Sequence, residues 1–193
     1  MPLSFSIEDL RKQYNCSHYF ETGMWDPVQT DISSWKAVES NFDTVHCVEI
    51  RKDFVDKAEV LFTQHIQNGK YFVYHDDSVN MFKYLDQHPF FHTDRSIFFL
   101  DAHVDNNNIR NFTKKCPLFE EITAISKLSR KDNIILVDDL RIINTPFPWG
   151  ETSYGNIGFL SAIKDLILKI NPNYKFKTLP GLVPDDILCA YVE

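Results

Sequence analysis

Ile134-Ile135-Leu136-Val137-Asp138-Asp139 is the stretch on which the reading of the fold turns. Four aliphatic residues with no polar position among them suit a strand covered on both faces, the situation of a parallel sheet. Two carboxylates then stop the run. The same plan recurs upstream. Residues 97–100 end in Asp101-Ala102-His103, residues 71–75 in His75-Asp76-Asp77-Ser78, residues 45–50 carry Glu49 near their end, and residues 18–21 close on Glu21-Thr22-Gly23. Each run is rich in aromatic or β-branched residues, as strands are.

Between these runs the period changes to that of a helix. Phe54, Ala58, Leu61 and Phe62 share one face of residues 52–67. Leu118, Ile122, Ile125 and Leu128 do so in 117–128, with Pro117 suited to a first helical turn. Ile157, Leu160, Leu166, Ile167 and Ile170 form the stripe of 157–170. Repeated β–α units predict an α/β protein with a parallel sheet and helices on both faces. The end departs from the plan. Residues 174–179 and 187–192 are strand-like, and only residues 180–186 separate them, so a hairpin and an antiparallel last strand are expected. No linker or repeat divides the 193 residues, which predicts one domain over 1–193 with a helical extension at 1–17.

Composition narrows the function. Net charge is −7 and no dense Lys/Arg stripe is present, which argues against a nucleic-acid partner. No apolar stretch approaches the length that spans a bilayer and no secretory leader is apparent, so a soluble cytoplasmic protein is expected. Cys16, Cys47, Cys116 and Cys189 form no C-x-x-C pair, and Cys47 and Cys189 lie inside apolar runs; buried free thiols in a reducing compartment are expected. Sixteen Phe point to an aromatic core and pocket. His88 and His92 have an i,i+4 spacing, but Pro89 and Phe90-Phe91 disfavour a regular helix there, and the pair reads as structural.

In open α/β sheets, ligands bind beyond the carboxyl ends of the strands. All five parallel runs end in a carboxylate, and such a rim repels itself unless something binds there. Turn and cap chemistry explains one or two such acids, Asp138-Asp139 among them, but not the whole set. The candidate cofactor contacts are Glu21, Thr22, Gly23, Glu49, Ile50, Asp76, Asp77, Ser78 and Asp101. Glu49 is placed to accept both hydroxyls of a ribose, Asp77 and Ser78 to lie beside a nucleobase, and Gly23 to let the ligand approach the backbone. Asp101, Asp138 and Asp139 offer three oxygen donors for a hard divalent ion such as Mg²⁺ or Mn²⁺. His103 is either a loop residue or a general base, with Asp101 the other candidate catalytic group. In the polar loop 144–156, Trp149 and Tyr154 either pack the loop or form a platform for a substrate ring.

At these residues the chain resembles class I S-adenosylmethionine (SAM)-dependent methyltransferases, from about residue 18 to residue 192. The landmarks are FETG at 20–23, VHCVEI at 45–50, DDS at 76–78, FFLDAH at 98–103, CPLFEEI at 116–122 and IILVDD at 134–139. The resemblance implies a Rossmann-like sheet of seven strands, order 3-2-1-4-5-7-6, with strand 7 antiparallel. Asp101 and the pair Asp138-Asp139 are similar to the metal ligands of catechol O-methyltransferase and of metal-dependent sugar O-methyltransferases. The combination of motifs further resembles enzymes that methylate sugars or glycans in bacteria and in large viruses of algae. It implies methyl transfer from SAM to a hydroxyl, on a deoxysugar such as rhamnose or on a catechol-like small molecule; for a viral protein the compartment is the host cytoplasm. Three departures stand out. Gly23-Met24-Trp25-Asp26-Pro27 lacks the usual second glycine, Asp76 replaces the glycine of Gly-Asp-Ser, and Val104 stands where the catechol enzyme has its lysine base. Against a nicotinamide oxidoreductase, the chain has no G-x-G and no Y-x-x-x-K. A SAM-binding protein without transfer activity is the other alternative, favoured by the irregular 23–27 loop.

Overall fold

The protein is seen in a computed structural model that describes residues 3–29, 31–102, 116–143 and 158–193. Its strands are β1 (His18–Thr22), β2 (Thr44–Glu49), β3 (Tyr71–His75), β4 (Ser96–Leu100), β5 (Ile134–Val137), β6 (Lys175–Leu179) and β7 (Ile187–Tyr191). They form one sheet of order β3-β2-β1-β4-β5-β7-β6. The first five run parallel, and β7 lies antiparallel between β5 and β6. The expected topology is therefore the one found, including the hairpin at the end.

The helices are α1 (Ile7–Tyr14), α2 (Ser33–Glu39), α3 (Lys52–Leu61), α4 (Thr63–Gln67), α5 (Phe82–Asp86), α6 (Phe90–Thr93), α7 (Leu118–Ser126), α8 (Leu140–Ile143) and α9 (Phe159–Ile170). Strand alternation divides the interior into two cores. Phe20, Val48, Phe98, Leu100, Ile135 and Val137 face α5 to α9, meeting Leu85, Phe91, Ile122, Ile125 and Ile163. Tyr19, Val45, Cys47, Ile97, Phe99 and Leu136 face the other way, toward Leu10 of α1, Ala37 of α2 and Phe54 and Ala58 of α3. α1 starts where the Ser6 hydroxyl accepts the Asp9 N–H at 3.1 Å and stops at Asn15, whose φ of 52° is left-handed.

The segment expected as one helix over 52–67 is broken. Phe62 leaves helical geometry, and the Thr63 hydroxyl donates back to the Glu59 and Val60 carbonyls at 2.7 and 2.8 Å. The break sends Phe62 into the core against Trp35 and Tyr71, each with ring centroids at 4.5 Å, and leaves Leu61 exposed rather than on the buried stripe. α7 and α9 are shorter than expected, and Gly158 with φ 58° precedes α9; Ile157 lies outside the described residues.

The aromatic excess has a use here. His46 of β2 is buried among rings, stacked on Phe72 at 4.5 Å and 9°, with His88 edge-on at 4.7 Å. Its nitrogens bond the Tyr74 and Thr44 hydroxyls, both at 3.0 Å. His88 bonds the Tyr74 hydroxyl at 3.1 Å and His92 sits 3.4 Å from the Ser129 hydroxyl, so the pair read as structural has structural partners. All four cysteines are free and buried. Among the described residues no helix is long and apolar enough to cross a membrane.

Candidate cofactor and metal site

Register brings the strand-end residues to one level. Thr22 pairs with Val48 on one side and Leu100 on the other, and Leu100 pairs with Val137. The first N–H beyond β1, β3, β4 and β5 then extends the ladder: Gly23 to Val48 at 2.9 Å, Asp76 to Glu49 at 3.1 Å, Asp101 to Thr22 at 3.0 Å and Asp138 to Leu100 at 3.1 Å. The backbone at these positions is fixed by the sheet, so the side chains that follow are presented from a rigid edge. Gly23 adopts φ +79°, and a Cβ there would lie 2.7 Å from the Asp101 carbonyl and 2.9 Å from the Ala102 Cα. The glycine is thus required by the neighbouring strand's backbone, a nearer cause than the ligand approach expected from sequence.

Asp101, Asp138 and Asp139 are brought together. Each offers a carboxylate oxygen, and these oxygens all lie within 4.8 Å of one another. Asp138 and Asp139 are 1% and 4% exposed. Asp139 is held in left-handed geometry, φ 63°, with its N–H donating to Asp138 Oδ1 at 2.7 Å, which tips its side chain toward the cluster rather than along a helix. Burial drives the Asp101 carboxyl well above the usual carboxylate range, and the charges of Asp138 and Asp139 push it further the same way. An all-oxygen, multiply anionic donor set fits a hard divalent cation, whose charge would reverse that shift.

Glu49 ends β2 nearly fully buried, accepting the Met24 N–H at 2.9 Å and the Arg51 N–H at 2.8 Å. Burial raises its pKa, and those N–H bonds oppose the rise. The Met24 bond draws the 23–27 loop onto the strand end, where Trp25 takes φ 68° and Asp26 pairs with Lys57 at 3.0 Å. Beside it the Thr22 hydroxyl is buried with no hydrogen-bond partner among the described residues. Ile50 follows, its carbonyl 3.1 Å from His75 Nε2.

Other candidates are spoken for locally. Glu21 is wholly buried, its carboxylate bonded by the Tyr19 hydroxyl at 3.0 Å and by Ser34 of α2; burial raises its pKa while these donors lower it. That side chain is turned beneath α2. Asp76 takes the Asp77 N–H at 2.8 Å, Asn80 at 2.9 Å and the Tyr84 hydroxyl at 2.8 Å, with Lys83 alongside. Burial raises its pKa, but these donors outweigh it and hold the carboxyl far below its ordinary range. Asp77 caps the 3-10 turn Ser78–Asn80 through Val79 N–H at 3.2 Å, and Ser78 is buried. His103, Trp149 and Tyr154 lie outside the described residues.

The sequence reading missed two charged residues. Arg141 pairs with Asp139 at 2.5 Å and with Asp186, and Asp186 is buried at the entrance to β7. Arg141 stands two positions beyond the acidic pair, a visible signal; Asp186 lies far away in sequence and carried none.

No family model matches the sequence, and no curated protein does. Solved structures do match. The O-methyltransferase from Bacillus cereus, in complex with SAH, is 14% identical and superposes with a TM-score of 0.59 over 96% of this chain and 78% of its own. The O-methyltransferase TomG from Streptomyces achromogenes, in complex with SAM, is 14% identical at a TM-score of 0.58, covering 96% and 77%. MycE methyltransferase of the mycinamycin biosynthetic pathway, in complex with Mg and SAH, is 15% identical at 0.56, covering 96% of this chain and 47% of its own. Identity at this level establishes the fold, the Rossmann-like methyltransferase sheet, and leaves chemistry to be argued from the site.

Proposed function

We propose that the chain is a SAM-dependent O-methyltransferase assisted by a divalent metal, acting on a hydroxyl of a sugar or glycan. The observation that carries this reading is the convergence of three carboxylates, Asp101, Asp138 and Asp139, on the sheet edge that also presents Glu49. The orphaned Thr22 hydroxyl beside Gly23 and the buried carboxylate of Glu49 suit a polar nucleoside at the ends of β1 and β2. Neighbours of the same fold hold SAM or SAH, and one also holds Mg.

In this reading Glu49 accepts the ribose hydroxyls, and Ser78 and Asp77 flank the base. Asp101, Asp138 and Asp139 hold the cation, which when bound supplies Lewis acidity that lowers a substrate hydroxyl's pKa and fixes its direction. Alignment of that hydroxyl against the methyl donor is the larger part of the acceleration. Asp101 or His103 takes the proton at the hydroxyl oxygen, and Trp149 and Tyr154 hold the sugar ring; the roles of His103, Trp149 and Tyr154 rest on the sequence. A catechol-like phenol is the alternative acceptor on the same residues.

A second reading, SAM binding without transfer, draws on one feature: the Met24 N–H already occupies a Glu49 oxygen. Calorimetry with SAM and SAH, with and without Mn²⁺, followed by transfer assays on methyl-acceptor sugars and on catechol, separates the two. Binding with metal-dependent turnover supports the enzyme. Tight binding with no turnover on either acceptor class supports the second reading, and absence of SAM binding removes both.

A further inference from the structure

One cation already stands beside the carboxylate cluster. Arg141 Nη2 lies 2.5 Å from Asp139 Oδ1, while Nη1 of the same guanidinium pairs with Asp186 Oδ2. Its backbone N–H also donates to Asp186 Oδ1 at 3.1 Å. Exposed ion pairs usually contribute little, but both carboxylates of this one are buried and it is anchored at both ends. Asp186 is 1% exposed, accepts the Leu182 N–H at 3.2 Å, and through its own carbonyl accepts the Leu140 N–H at 2.8 Å. It is packed so closely that a Cβ on Gly181 would meet its Cβ at 3.0 Å. The anchor sits where the chain enters β7, the antiparallel neighbour of β5, so the strand that carries Asp138-Asp139 and the strand that carries the anchor are bonded partners. The geometry serves the cluster, since the guanidinium neutralises part of a charge that three converging carboxylates would otherwise carry alone.

Resting on the metal reading above, we propose that Arg141 is a resident counter-ion held by Asp186, which competes with the divalent cation for Asp139 and sets the metal concentration at which the site fills. When the cation binds, Asp139 Oδ1 changes partner and the guanidinium stays on Asp186. Arg141 is a positioning residue in this scheme, and its side chain, 24% exposed, has water to turn into. A divalent ion and a guanidinium that share one carboxylate repel even through the dielectric of bulk water strongly enough to change affinity about tenfold.

The two ends of the pair then give effects of opposite sign. Arg141→Gln removes the competitor, so Mn²⁺ binds about tenfold more tightly; Asp186→Asn hands the whole guanidinium to Asp139, so Mn²⁺ binds about tenfold more weakly. Arg141→Lys keeps the charge and stays within about threefold of wild type. The test titrates the full chain, without SAM, with MnCl₂, reading free Mn²⁺ by electron paramagnetic resonance and heat by calorimetry, with circular dichroism melts to show that each variant is folded. A purely structural role for Arg141 predicts weaker binding in both Arg141→Gln and Asp186→Asn. Equal or weaker binding in folded Arg141→Gln overturns the proposal while leaving the metal site standing. If Arg141→Gln does not fold, Asp186→Asn decides, and binding equal to or tighter than wild type overturns it. Wild type that takes up no Mn²⁺ at millimolar concentration removes the metal reading and the proposal together.

Discussion

His46 makes the stability of this fold depend on pH in a way that can be worked out. The ring is buried, and burial lowers its pKa from 6.5 to about 2, with His88 and His18 nearby adding to the shift. The folded state therefore keeps it neutral, whereas the unfolded chain protonates it below pH 6.5. The stability this confers is whole above pH 6.5 and is lost as pH falls from there toward the folded value. At pH 4.5, two units below the unfolded pKa of 6.5, the loss comes to about 3 kcal/mol. Other groups titrate in the same range: burial also lowers His18, and it raises Glu21 and Glu49, which act in the opposite direction. Comparison with His46→Gln cancels them. That variant gives up ring stacking on Phe72 and so starts less stable, but it carries no titrating group. Urea unfolding of both proteins from pH 7.5 to 4.5 would show the wild type losing about 3 kcal/mol relative to the variant. Two curves that stay parallel across that range would refute the reasoning.

Gly23→Ala should cost about 2–4 kcal/mol by urea unfolding, because its Cβ meets the Asp101 carbonyl at 2.7 Å and its φ is +79°; a loss under about 0.5 kcal/mol would mean the two strand ends can part freely. Glu49→Gln should weaken SAM binding by roughly 10- to 100-fold in calorimetry, the worth of a hydrogen bond to a charged group, and unchanged affinity would withdraw the ribose assignment. Removing metal with EDTA should abolish methyl transfer and MnCl₂ should restore it, whereas Asp101→Ala and Asp139→Ala should stay inactive, the latter with SAM affinity within about threefold of wild type. Full activity of both variants in EDTA would exclude metal assistance.

The run 134–137 could be read to the residue because a strand buried on both faces shows no polar position to confuse the pattern. The acidic rim was legible for a related reason: parallel topology alone sends every strand end to one edge. What depended on tertiary partners was not legible. Nothing local marks Phe62 as a break; its place between Trp35 and Tyr71 makes it one. Glu21 and Glu49 both end strands, yet one turns beneath α2 to Ser34 and the other stays at the edge with Met24 and Arg51. Asn80, Lys83 and Tyr84 hold the Asp76 carboxylate from a turn or two downstream, partners that only the fold after β3 brings to it. The Arg141–Asp186 pair joins β5's end to a hairpin beyond α9, a distance no local pattern bridges.

The ladder bonds that run past β1, β3, β4 and β5, from Gly23, Asp76, Asp101 and Asp138, tie the fate of this edge to the whole architecture. Residues that must meet there are delivered by segments far apart along the chain, so no fragment can assemble the edge by itself. Anything that docks on it selects the completely folded molecule, and its binding energy is returned as protection against unfolding everywhere.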